Sequence, residues 1–275
     1  MTVPVRPRLS HFTARLGNRR LHMATASVQT PTHAANDASG TGQRPAGQIR
    51  NRILSLLPPG ELATVLERCQ SVTITSKQVV WKREEPIEYV FFPEDCVISL
   101  VTEMDDGDSV EAMTVGSDGF TGISVFHGAP SSRLKAICQI TGEARRLSAA
   151  EFGELTRSCE TFDKLLHRYS QFVFETVAQS AACNRLHVIE QRCARWLLMS
   201  QDRVGRNRFD LTQEFLAEML GVRRPGVTVA MGALEKAGLI SHGRGRIAVI
   251  DRPGLERVAC ECYAAVATRQ RELLS

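Results

Sequence analysis

The chain has 275 residues, 43% apolar and 23% charged, enough for two modest folded domains. No stretch approaches the roughly 18 uninterrupted apolar residues of a membrane-spanning helix, and the basic N-terminus lacks the apolar core of a secretion signal; a cytoplasmic protein with no membrane partner is expected. Net charge is +4 but uneven: residues 51–184 carry twelve basic and nineteen acidic side chains, residues 185–275 fifteen and ten, so the C-terminal third is the part suited to a polyanion.

Residues 1–47 are rich in Thr, Ala, Ser, Gly, Pro and Asn, and nearly devoid of large apolar residues after Leu21; they read as a disordered basic tail. From Ile53 helix-period anchors gather around Pro58-Pro59. The pattern then shortens. Val72–Thr75, Glu88–Phe92, Val97–Thr102, Val110–Val115, Ala136–Ile140 and Ala144–Leu147 are runs of Val, Ile, Phe and Thr parted by turn signals. One of these, Gly116-Ser117-Asp118-Gly119, reads as a plain turn rather than a ligand cradle. Many short, evenly spaced strands predict an antiparallel roll of the jelly-roll kind over residues 48–150, in an α+β chain.

One helix is expected from about Ala149 to Leu186. Along it Phe162, Leu166, Tyr169, Val173, Thr176, Ser180 and Cys183 alternate by four and three, a coiled-coil spacing that makes residues 151–187 a candidate dimerisation helix. A helix lying on its own sheet is the competing reading.

Residues 188–275 carry the sharpest signal. A helix from Val188 to Gln201 is followed by Thr212 as N-cap, a short helix ending at Gly221, and a second helix from about Arg224 to Ala237 that would bury Val227, Ala230, Met231 and Leu234. Gly238 stops that helix. Leu239–Ser241 and Arg246–Ile250 then form a hairpin tipped by His242-Gly243-Arg244-Gly245. A helix-turn-helix with a basic hairpin is a winged helix suited to double-stranded DNA. Arg223, Arg224 and Thr228 would stand in the major groove, Thr212 and Gln213 beside it, and Arg244 and Arg246 on phosphates. A final helix is expected beyond Pro253, carrying Leu255, Val258, Ala259, Cys262 and Val266 on one face.

The eight cysteines read as reduced thiols. Only Cys260-x-Cys262 is close, and on a helix such a pair points apart, so no metal and no cofactor is expected. His127, His167 and His187 each stand isolated in the sequence.

The order of roll, long helix and winged helix resembles the Crp/Fnr superfamily of bacterial transcription regulators. The resemblance covers about residues 50–250 and rests most firmly on the run Leu211–Arg224 and on Leu234–Ile240. It implies a regulator acting as a homodimer on a two-fold-symmetric operator, with the roll as sensor and RNA polymerase as a further candidate partner. The cyclic-nucleotide-binding members hold ribose with a Gly-Glu pair and phosphate with an Arg-Ser pair. Here Gly119–Phe126 contains no glutamate, and the later pair is Ser132-Arg133. Gly119, Gly122, Ser132 and Arg133 are the effector-binding candidates left, and cyclic AMP and cyclic GMP are not the expected signals. Pro225 stands where the archetype has an acidic base-reader, so that target sequence does not transfer. The alternative function is a signalling module whose winged helix contacts protein. An enzyme of the cupin type would need a histidine cluster that the sequence lacks.

Overall fold

The computed structural model describes residues 49–105, 107 and 109–275; the N-terminal tail lies outside the described residues. Two short helices open it, α1 (Arg52–Ser55) and α2 (Pro59–Arg68). Asn51 caps α1 and donates from Nδ2 to the carbonyls of Pro93 (3.0 Å) and Gly119 (2.7 Å). Seven strands follow: β1 (Gln70–Ile74), β2 (Val79–Trp81), β3 (Tyr89–Pro93), β4 (Val97–Glu103), β5 (Ser109–Val115), β6 (Lys135–Ile140) and β7 (Gly142–Ser148), with a one-turn helix α3 (Ile123–Phe126) after β5. They pair antiparallel in two sheets, ordered β1-β7-β3 and β2-β6-β4-β5. Between the sheets lie Ile74, Trp81, Ile98, Leu100, Met113, Val115 and Cys138. Every expected strand is present, and β2 is an addition.

The single helix expected over 149–186 is two. Ser148 and Glu151 form a reciprocal capping box that starts α4 (Ala149–Ser158). Cys159 then turns to an extended conformation, and α5 (Glu160–Leu186) begins anew. The free amides at its start are taken by the Glu61 carboxylate, which accepts from Thr161 N (3.1 Å) and Phe162 N (2.9 Å).

The proposed seam needs correcting. Phe162, Leu166, Tyr169, Thr176 and Cys183 are buried by the chain's own residues, and Val173 and Ser180 are half-buried. Phe162, Leu166 and Tyr169 join Phe92, Phe120 and Phe152 in one aromatic-rich core, with Tyr169 5.2 Å from Phe120 between ring centroids. The first part of the alternation therefore marks the face on which α5 lies against its own roll, and its last member, Cys183, packs on Cys260 and Cys262. The face left open carries Phe174, 71% exposed, and Val177, Ala178 and Ala181.

The C-terminal third continues with α6 (Ile189–Val204), β8 (Arg208–Asp210), α7 (Gln213–Leu220), α8 (Arg224–Lys236), β9 (Ile240–Gly243) and β10 (Arg246–Val249). The three strands pair in the order β8-β10-β9. Their core shares one apolar cluster with Val97, Val101 and Ile140 of the roll, so α6 packs directly on the β4-containing sheet. The final helix is also two, α9 (Arg252–Val258) and α10 (Cys262–Leu273), parted by a bend at Ala259–Glu261. α10 lies on α5, where Arg269 Nη2 donates to Glu175 Oε1 at 2.9 Å. The bend corrects the view of Cys260 and Cys262 as helical neighbours. With Cys260 in the bend and Cys262 opening α10, the two converge with Cys183 and His187, so His187 is not isolated.

Candidate nucleic-acid interface

Local chemistry builds the helix-turn-helix. Thr212 adopts extended backbone and accepts from Phe215 N at 3.2 Å, starting α7. Gly221 ends it at φ 60°, a left-handed conformation that costs glycine little. Arg223 is the N-cap of α8, and Pro225 in its first turn lacks only an N–H that would go unpaired there. Val227, Ala230, Met231 and Leu234 are buried at spacings of three and four, leaving Arg224, Pro225, Thr228, Val229, Gly232, Ala233 and Lys236 outward. The wing turns on Arg244 (φ 50°) and Gly245 (φ 76°), the pair of positive angles of a type I′ hairpin turn. Arg244 is thereby held at the tip, exposed.

Five of the seven candidate DNA contacts line one groove between the start of α7, α8 and the wing: Thr212, Gln213, Arg224, Arg244 and Arg246. Thr228 is tied to its edge, donating to Gln213 Oε1 at 2.9 Å. Arg246 is held loosely by Asp210, 3.7 Å away with both side chains exposed. Arg223 stands apart. It lines a separate cleft with Ser109 and Val110 of the β4–β5 hairpin, where Ser109 Oγ donates to Glu218 Oε1 at 2.7 Å. Sequence reading missed Val229, a β-branched side chain 74% exposed on α8, and Ile250 at the wing, 62% exposed. The signal for Val229 was present, because it falls on the face opposite the four buried positions.

The four effector candidates do not assemble. A Cβ on Gly119 would fall 2.0 Å from the Tyr169 ring, so that glycine exists to let α5 approach. Gly122 caps α3. Ser132 accepts from Leu134 N, and Arg133 projects into solvent 3.6 Å from Glu84.

The groove is mounted on the roll through α6. Arg203 of α6, its side chain 5% exposed, meets Asp118 with Nη2 2.9 Å from Oδ2 and Nε 3.1 Å from each oxygen. Ser117 Oγ donates to the Arg203 carbonyl at 2.8 Å. The Gly116–Gly119 turn is thus a socket for α6. Alongside it, Glu111 accepts from Ser99 Oγ (2.8 Å), Gln139 Nε2 (2.7 Å) and Trp196 Nε1 of α6 (3.3 Å). Burial pushes its carboxyl up to about 7, against the pull of those bonds and of Arg203. A carboxyl raised in the fold binds its proton more tightly there than in the unfolded chain. Its contribution is whole below the ordinary carboxylate range and is lost as pH climbs through about 7. Glu111→Gln, which cannot titrate, is therefore expected to flatten the decline in unfolding free energy between pH 5 and 8 by up to about 3 kcal/mol. Urea unfolding at both ends of that range measures it, and parallel declines in the two proteins would refute it.

Residues 191–258 match the family model of the Crp-like helix-turn-helix domain. Solved structures with the same fold include FixK2 from Bradyrhizobium japonicum, with TM-score 0.57 and 16% identity over 70% of this chain and 98% of that one. A Crp-family transcriptional regulator from Thermus thermophilus gives 0.56 and 19%, over 68% and 96%. The c-di-GMP-responsive global regulator CLP of Xanthomonas campestris gives 0.54 and 14%, over 70% and 99%. No curated protein sequence matches the chain.

Proposed function

Taking the chain as a Crp/Fnr-type regulator fold that carries a Crp-like helix-turn-helix domain, we propose that it acts as a homodimeric, sequence-specific DNA-binding transcription regulator. The observation that carries this reading is the single groove holding Arg224, Arg244, Arg246, Thr212 and Gln213 beside the exposed face of α8. In the reading α8 enters the major groove, Arg224 reaches a guanine edge in bidentate fashion, and Val229 meets a thymine methyl. Arg244 and Arg246 grip phosphates from the wing and fix the register. Arg223 joins them only where the β4–β5 hairpin leaves it free. Pairing through the open face of α5 would present two such helices to half-sites about 34–36 Å apart.

Cyclic AMP and cyclic GMP are not the signals in this reading, because the residues left of that cassette are dispersed between a helix contact and an exposed turn. The test begins with selection of bound duplexes from a random pool by purified protein. On the selected operator, Arg224→Ala is expected to cost about 1–3 kcal/mol and relax specificity at one base pair. Arg244→Ala should weaken all sequences alike and lower the salt slope by about 1. Unchanged binding in both variants, or micromolar binding of cyclic AMP by calorimetry, would contradict the respective parts.

A further inference from the structure

Cys183 sits in the last turn of α5, and His187 is its C-cap, one turn further on. Cys260 lies in the bend between α9 and α10, and Cys262 is the first residue of α10. These two pairs are 73 or more positions apart in the chain, yet their three sulfurs and one imidazole nitrogen lie within 4.8 Å of one another. Cys183 Sγ is 3.5 Å from Cys260 Sγ, and Cys262 Sγ is 3.6 Å from His187 Nδ1. A tetrahedral Zn2+ with bonds of about 2.3 Å to sulfur and about 2.0–2.1 Å to nitrogen sets its ligands about 3.8 Å (S to S) and about 3.6 Å (S to N) apart. The cysteine pair therefore needs to open by only a few tenths of an ångström.

We propose that Cys183, His187, Cys260 and Cys262 form a closed, structural Zn2+ site that staples the end of α5 to the α9–α10 bend. The surroundings agree with four-fold use of these groups. His187 presents Nδ1 to the cluster while its Nε2 is 3.1 Å from Glu261, the carboxylate–histidine arrangement that fixes a ligating ring. Gln179 Nε2 donates to Cys262 Sγ at 2.9 Å, a bond that favours thiolate. Three thiolates around a divalent ion leave one negative charge. Arg192 and Arg195 are buried beside the cluster, with Nε atoms that find no acceptor among the described residues. Four protein donors leave no coordination position for water or substrate, and all three cysteines are buried, which marks the site as structural rather than catalytic. A disulfide between Cys183 and Cys260 would use two donors and leave the Cys262–His187–Glu261 relay without purpose. Donors this close also surround one ion and not a polynuclear cluster.

Full-length protein purified without chelator or added metal is expected to contain one zinc per chain by mass spectrometry, as is a Cys69→Ser control. The Cys260→Ser/Cys262→Ser double variant should contain none. Exchange with Co2+ should give the intense visible bands and sulfur-to-metal charge transfer of a tetrahedral thiolate site in the parent protein. His187→Ala should alter those bands, a result readable even where the double variant does not fold. A strong chelator should lower the melting temperature of the parent and leave that of the folded double variant unmoved. Three results would each overturn the site: no zinc in the parent, the same zinc content in the double variant, or a mapped Cys183–Cys260 disulfide in place of the metal.

Discussion

Asp118→Asn should lower the free energy of unfolding by about 3–5 kcal/mol, because it strands a guanidinium inside the protein. Arg203 and Asp118 are 5% and 11% exposed at their side chains and make three contacts of 2.9–3.1 Å. Arg203 Nη1 already finds no acceptor among the described residues, so the pair has no reserve of partners to fall back on. The arginine cannot swing out. Its stem fills the space over Gly116, where a Cβ would come within 2.5–2.7 Å of it, and its backbone is held by Ser117. Against a typical total of about 5–15 kcal/mol, the loss is severe, and it falls on the joint between roll and winged helix. Urea unfolding gives the number. Adding Arg203→Met to Asp118→Asn should recover much of it, since removing both charges together removes the stranded one. If Asp118→Asn unfolds with the parent, or the double variant is no better than the single, the pair is not the bolt of this joint.

Sequence patterning made the six longer strands of the roll legible, because Val, Ile, Phe and Thr gather there between strong turn signals. The helix-turn-helix was legible for a different reason: Thr212, Gly221 and Gly238 are local punctuation whose effect depends on neighbouring backbone alone. What failed was whatever depended on distant partners. β2 is three residues long between charged flanks and exists because Val79 and Trp81 pair with β6; β8 has one apolar residue, Phe209. The break at Cys159 has no Pro or Gly to announce it. It is stabilised by Glu61, a cap about 100 positions upstream. The cysteine cluster escaped for the same cause: its spacing is that of a fold, and the bend at Ala259–Glu261 that brings Cys260 and Cys262 together carries no breaker.

Phase along a helix poses a subtler problem. A repeat of four and three says which residues share a face but not what that face meets. On α5 the strongest repeat belongs to the chain's own core, and the weaker one, Phe174, Val177, Ala178 and Ala181, faces outward. The two faces predict opposite results. Phe174→Glu should leave the fold intact, since the side chain is 71% exposed, and should abolish the proposed dimer. Burying one phenylalanine contributes about 1.5–3 kcal/mol, and two-fold symmetry doubles it to about 3–6 kcal/mol, roughly a hundred- to ten-thousand-fold in the dimer dissociation constant. Two glutamates facing each other across the axis add repulsion. In the proposed mode a monomer would grip one half-site, so operator affinity should collapse while weak non-specific binding survives. Leu166→Ala, on the inward face, should cost about 2–5 kcal/mol of stability and leave the folded fraction dimeric. Sedimentation velocity with unfolding curves on both variants separates the faces. A Phe174→Glu protein that sediments as a dimer would place the subunit contact elsewhere on the molecule and overturn the proposed pairing of two α8 helices across a two-fold operator.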